Sequence, residues 1–270
     1  MKKRKIPKWI TMLAWVLALI AVWEIGANAI ESSKRTPENV LPHLYQIIGS
    51  IVSDKPVANG ETALMVVLSS AGKTLLRALY GFLLGTMLGF GMALLLKISK
   101  IAEKVIFPYL MLIQMIPILG MAPIILAITG NINVSRVIIA AILTFYPVAT
   151  NTLAGFNAVE REKYELMYSY AAKKSTIYRK VLIPYSIPYF FTGLKISAPM
   201  AITASILVDT LQGDGGLGCM LSQSQKHAMS IYVFWIIIFF SAVVGILSSK
   251  LMGVIERICT PQNRKRRCKS

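Results

Sequence analysis

Tyr164-Glu-Leu-Met-Tyr-Ser-Tyr-Ala-Ala-Lys-Lys-Ser-Thr-Ile-Tyr-Arg-Lys-Val-Leu-Ile-Pro184 is a charged, helix-prone stretch set between long apolar runs. The segment that holds it, 157–186, is too short for a domain and long enough for one or two short helices. Around it the chain of 270 residues is 55% hydrophobic and only 15% charged, with a mean hydropathy of +0.61. Soluble domains carry about 25% charged residues. The apolar residues form blocks of 18 or more, the length a helix needs to cross a bilayer. The sequence therefore describes an all-α, polytopic membrane protein with one membrane domain over 1–270 and its core over about 60–256.

Six spans are predicted, near 9–30, 74–96, 105–129, 136–156, 187–210 and 231–255. The first follows Met1-Lys-Lys-Arg-Lys, and Ala27-Asn-Ala29 resembles a leader cleavage site. The run is long for a leader and contains Glu24, so an uncleaved span is expected. With the N-terminus inside, the inner segments hold twenty Lys and Arg and the outer ones six, Arg136 among them. Basic residues collect on the cytoplasmic side, so both termini, the loop 157–186 and the basic tail 257–270 are placed in the cytoplasm. The net charge of +17 follows from this topology and excludes a nucleic-acid partner as its explanation. Outside, 41–52 reads as a short surface helix, ended by Pro56, Asn59 and Gly60.

Gly81, Gly85 and Gly89 stack on one helix face and predict a close packing seam, within the subunit or between subunits. Pro108, Pro117, Gly120 and Pro123 predict a bent or broken third span, and Pro147 and Pro199 repeat the theme. Broken backbone at membrane depth needs protein or a water-filled cavity beside it, which favours a solute path. Pro117, Pro123, Pro147, Asn151 and Asp209 are the candidates for that path. Among ionisable residues in the spans, Lys195 and Lys250 are expected to snorkel. Asp209 is expected either at the path or in a cap or ion pair. Three cysteines, Cys219, Cys259 and Cys268, lack metal or redox spacing, and His43 and His227 have no ligand-like neighbours. No catalytic constellation and no phosphate-binding loop appears. A chain of this kind that moves solute uphill with ATP must rely on another chain to hydrolyse it. An ion-gradient-driven secondary transporter and a membrane-embedded enzyme are the alternatives.

The stretch from Tyr164 to Pro184 resembles the signature of ATP-binding-cassette (ABC) importer permeases, which reads EAA, three residues, G, nine residues, I-x-L-P. Glu165-Leu166-Met167 stands at EAA, Ala171 at the glycine, and Val181-Leu-Ile183-Pro184 at the end. Thr74-Leu-Leu-Arg-Ala-Leu-Tyr-Gly-Phe-Leu-Leu-Gly, Ile116-Pro117, Ala122-Pro123, Phe145-Tyr-Pro147, Asn151-Thr, Thr192-Gly-Leu-Lys195 and Asp209 with Gly216-Leu-Gly218 extend the likeness over nearly the whole chain. The last two are similar to the branch that imports sulfonates, taurine, nitrate, bicarbonate and thiamine-pyrimidine precursors. That branch usually has Glu at Asp209 and a Trp-Phe-Gly-like turn where this chain has Ile128-Thr-Gly-Asn-Ile. These departures bear on the substrate more than on the fold.

The resemblance implies a type I importer fold. It also implies a homodimer in membrane lipid, cassette ATPase subunits that bind ATP and Mg, and an extracytoplasmic substrate-binding protein. It makes 157–186 the ATPase-coupling loop, with a first helix over 165–170 and a turn at Ala171 and Ala172. A second helix over 173–181 would start at Lys173, with Pro184 setting the angle into the fifth span. Alanine in place of glycine implies a gentler bend or a strained backbone.

Overall fold

The computed structural model describes residues 8–34, 36–58, 60–211, 215–226 and 230–260. Asn59, His227, Cys268 and most of the basic tail lie outside them. Among the described residues the regular structure is helical, apart from one two-stranded ribbon.

Two compact units are distinguished, one of residues 1–68 with 221–237, the other of 69–220 with 238–270. In the first, α1 runs over Lys8–Ser33, and Ala27 alone is buried among its described side chains. An apolar helix so little covered is one whose solvent is lipid. After a 3-10 turn at Pro37–Asn39 comes α2, Leu44–Val52. The surface helix thus starts at Leu44 instead of residue 41, because His43 is extended and stands as its N-cap. Its backbone N–H donates to Gln46 Oε1 at 3.0 Å. Strands β1, Pro56–Ala58, and β2, Glu61–Thr62, pair antiparallel around Gly60 at φ +78°. α1 is held to the loop before α2 by Trp23 Nε1–H donating to Pro42 O at 3.1 Å.

The second long helix, α3, covers Ala63–Ile98. It begins eleven residues before the predicted span, and its 36 residues extend about 54 Å against a hydrocarbon thickness of about 30 Å. The predicted third span is two helices, α4 (Lys100–Met115) and α5 (Ile118–Thr129), bent by 108°. Ser99 Oγ caps α4 by accepting from Ala102 N, the break falls at Ile116 and Pro117, and Gly130 at φ +62° ends α5. Asn131 Oδ1 then caps α6, Ile132–Asn157, by accepting from Asn133 N and Val134 N.

Helix α6 is the centre of the second unit. Its partner α3 approaches along the predicted glycine face. A Cβ on Gly81, Gly85 or Gly89 would lie 2.4, 2.4 or 2.7 Å from atoms of α6, so the seam is within the subunit. Then follow α7 (Arg161–Ser169), α8 (Lys174–Ile177), a π turn at Tyr178–Leu182, and α9 (Ile183–Leu211). α9 packs on α6 through Gly155 and Gly193, where an added Cβ would meet Ser186 and Tyr189, or the backbone of Pro147 and Val148. The fold closes with α10, Leu217–Gln225, and α11, Ile231–Cys259.

Candidate functional site

The segment read first from the sequence is a helix, a tight turn and a second helix. The turn is made by Ala171 at φ +50°, the one non-glycine residue with positive φ among the described residues. Ala172 N–H donates to Met167 O at 3.1 Å and Ala171 N–H to Tyr168 O at 2.9 Å. This pair of bonds is the Schellman ending of a helix, whose left-handed position is normally glycine. The alternative of a gentler bend is therefore set aside: the turn is sharp and the alanine backbone bears strain.

The second helix does not stop at Val181. It passes through the π turn directly into α9, with Ile183 N–H donating to Tyr178 O. Pro184 has no N–H for the carbonyl four residues back and its ring would crowd it. One wide turn accommodates both, so Pro184 is absorbed into a continuous helix and sets no sharp angle.

The motif residues divide by face. Met167, Ala172, Val181 and Ile183 are half-buried against a core of Leu96, Leu110, Leu153, Phe156, Ile177 and Leu182. That core joins the segment to the ends of α3, α4 and α6, and Tyr178 Oη–H adds a bond to Lys97 O at 3.3 Å. Glu165, Leu166, Ala171, Lys173 and Pro184 are exposed. Glu165 accepts from Arg161 at 2.8 Å on the surface. Leu166, Tyr168 and Tyr170 expose 58%, 60% and 76% of their surface, apolar and aromatic side chains on an otherwise charged segment. Burial pushes the Tyr164 phenol above its ordinary pKa, and its hydroxyl has no hydrogen-bond partner among the described residues.

The five path candidates do not form one site. Pro147 and Asn151 lie in the α6–α9 seam beside Gly193, where Asn151 Nδ2 donates to Pro147 O at 2.7 Å. Pro117 and Pro123 are exposed on α4–α5. Asp209 is fully buried. Arg136 Nε lies 2.8 Å and Arg77 Nη1 3.3 Å from its Oδ1, and Thr74 Oγ1–H donates to its Oδ2 at 2.8 Å. Thr74 Oγ1 in turn accepts from Leu217 N at 2.9 Å. A Cβ on Gly216 would fall 2.3 Å from Asp209 Oδ2, so the glycine turn is pressed onto the carboxylate. Asp209 thus occupies the ion-pair place of the two expected for it. Arg136, counted from the sequence as a residue of an outer loop, is a fully buried member of α6. No sequence signal links it to a carboxylate 73 positions away. Lys195 is likewise ion-paired, with Glu256, and does not merely snorkel. A cavity of about 580 Å³ lies between α4 and α6, lined by Lys100, Lys104, Phe107, Thr150, Leu153 and Asn157 among others. On the other unit, His43 is bonded to Glu24 at 2.6 Å, which holds its imidazole above the ordinary value against the opposing effect of burial.

Residues 85–258 match the family of binding-protein-dependent transport system inner membrane components. The chain belongs to this family. Relatives include the formylaminopyrimidine transport permease ThiX of Halalkalibacterium halodurans, 28% identical over 92% of this chain and 94% of that one. The nitrate import permease NrtB of Synechocystis sp. is 24% identical over 96% and 92% of the two chains. Solved structures of an amino acid ABC transporter (24% identity) and of the inward-facing MetNI methionine transporter (18%) share the fold. Each has a TM-score of 0.61 and covers 72% of this chain, with 94% and 96% of their own chains matched. The protein is thus a multi-pass permease subunit of an ABC importer in the bacterial inner membrane. Hydrolysis of ATP belongs to a separate subunit of such importers.

Proposed function

We propose that 157–186 is where the permease receives the stroke of its ATPase partner, and that both termini and this segment face the cytoplasm. The observation that carries the reading is the sharp α7–α8 turn at Ala171, with Leu166, Tyr168 and Tyr170 exposed beside it. Exposed aromatic and aliphatic side chains on a short rigid projection suit a protein groove. The inward-facing Met167, Ala172, Val181 and Ile183 tie the projection to the ends of α3, α4 and α6, so a pull on it is delivered to the helices. ATP binding closes the ATPases, draws the segment inward and turns the path to the outside. The working unit is a homodimer with two ATPase subunits and an extracytoplasmic binding protein.

The solute is small, of the kind the relatives' names give: a nitrate- or bicarbonate-like anion, a sulfonate or a pyrimidine. The cavity between α4 and α6, with Thr150 and Asn157 in its wall, supports a path along these helices. Two variants test the coupling reading. Leu166→Glu and Ala171→Asp are expected to abolish copurification of the cassette ATPase and solute uptake while the permease still reaches the membrane. Normal copurification and uptake in both would remove the coupling assignment.

A further inference from the structure

Between α3 and α11, over a floor made by α9, lies a cleft of about 610 Å³. Leu79 and Phe82 form one wall, Ala198 and Ala201 the floor, and Leu251 and Lys250 the other wall. Both flanking helices rest on α9. Ser205 Oγ–H donates to Thr74 O at 3.2 Å on the α3 side, while Gly245 faces Pro199 and Gly253 faces the Lys195 stem on the α11 side. The cleft is apolar except for Ser248, whose hydroxyl is spent on Gly245 O, and Lys250.

Lys250 is the feature that asks for an occupant. It sits within the apolar run of α11, and no carboxylate pairs with it among the described residues. The nearby acid, Glu256, is taken by Lys195. Charges at membrane depth are expensive and normally find a counter-charge. The depth is informative. α11 has 29 residues and is about 43 Å long, so it overhangs a 30 Å hydrocarbon layer by about 6 Å at each end when centred. Lys250 lies nine residues, about 14 Å, before Cys259. Its Cα is then about 7 Å below the headgroups, within reach of a snorkelling lysine.

We infer that the cleft binds an anionic phospholipid, with one acyl chain along Leu79, Phe82 and Leu251 and its phosphate on Lys250. A phospholipid brings the missing negative charge with it. A second copy packed through the same cleft would not: the cleft wall contains no carboxylate, so two such faces together would bury unpaired ammonium groups, a strongly unfavourable arrangement.

The full chain, delipidated in detergent, is titrated with phosphatidylglycerol or phosphatidylcholine and read by native mass spectrometry. Wild type is expected to retain one phosphatidylglycerol more tightly than phosphatidylcholine. Lys250→Gln is expected to lose about five-fold of that affinity, the weight of one basic residue against an anionic surface, and Lys250→Arg to keep it. Ser248→Phe fills the cleft without touching the charge and is expected to lose the bound lipid. Size-exclusion profiles check that each variant is folded. Equal binding of the two lipids, unchanged affinity in Lys250→Gln, or a disulfide-linked dimer through Leu251→Cys in native membranes would each overturn the assignment.

Discussion

Ala171 shows how much one side chain can constrain an element. A left-handed alanine costs about 1 kcal/mol relative to glycine, and the Schellman bonds to Met167 and Tyr168 hold it there. Ala171→Gly is expected to raise the melting temperature by about 2–4 °C, corresponding to about 1 kcal/mol in a protein of this size. Unchanged or lowered thermal stability would mean that the strain is compensated elsewhere. Asp209 is a sharper case. It is one buried carboxylate against two guanidinium groups, so Asp209→Asn leaves both arginines without their counter-charge. The expected cost is about 3–5 kcal/mol, read as loss of folded protein in detergent. Adding Arg136→Gln restores the original net charge of the cluster and is expected to recover a large part of the loss. A double variant no better than the single would show that hydrogen bonding to Thr74, and not charge, dominates. The register of Ala171 was legible in the sequence, since the resemblance to the importer signature places it at the bend. The partners of Asp209 were not, because Thr74, Arg77 and Arg136 reach it only through packing of α3 and α6 on α9.

At the scale of elements, the glycines of α3 separate packing from propensity. Gly85 has no space for a methyl group, with Ala141 O at 2.4 Å from the Cβ position, while Gly91 has nothing within 4 Å. Gly85→Ala is expected to push α3 off α6 and lower the melting temperature. Gly91→Ala is expected to be neutral or stabilising, because alanine is the better helix former. A similar loss from both would show that the seam is no tighter than the lipid-facing side. Four-residue glycine spacing announces such a seam. It cannot say which helix fills it, since a helix from the same chain and one from a neighbour demand the same small residues. The overlong α3 and the π turn before Pro184 escaped the sequence reading for a related reason. Hydropathy marks where a helix is buried in lipid, not where its hydrogen bonding starts or which wide turn a proline will take.

The whole molecule turns on one question of parity. Among the described residues, five helices are long and apolar enough to cross a membrane, and the α4–α5 pair makes six if it crosses as one broken span. If the pair instead dips in and returns, every segment after residue 130 changes sides. The twelve Lys and Arg of 161–180 and 257–269 would then face outward, against the strong preference of basic loops for the cytoplasm. Charge therefore favours a full crossing, with the backbone groups freed at Ile116 and Pro117 facing protein or water inside the assembly. Single cysteines at Ser53 and Ser175, in a chain lacking its native three, decide the matter. With six crossings Ser53→Cys is expected to react with an impermeant maleimide applied outside intact cells, and Ser175→Cys only after the membrane is opened. Labelling of both from outside would make α4–α5 re-entrant, and would put the segment with Ala171 out of reach of any cytoplasmic ATPase.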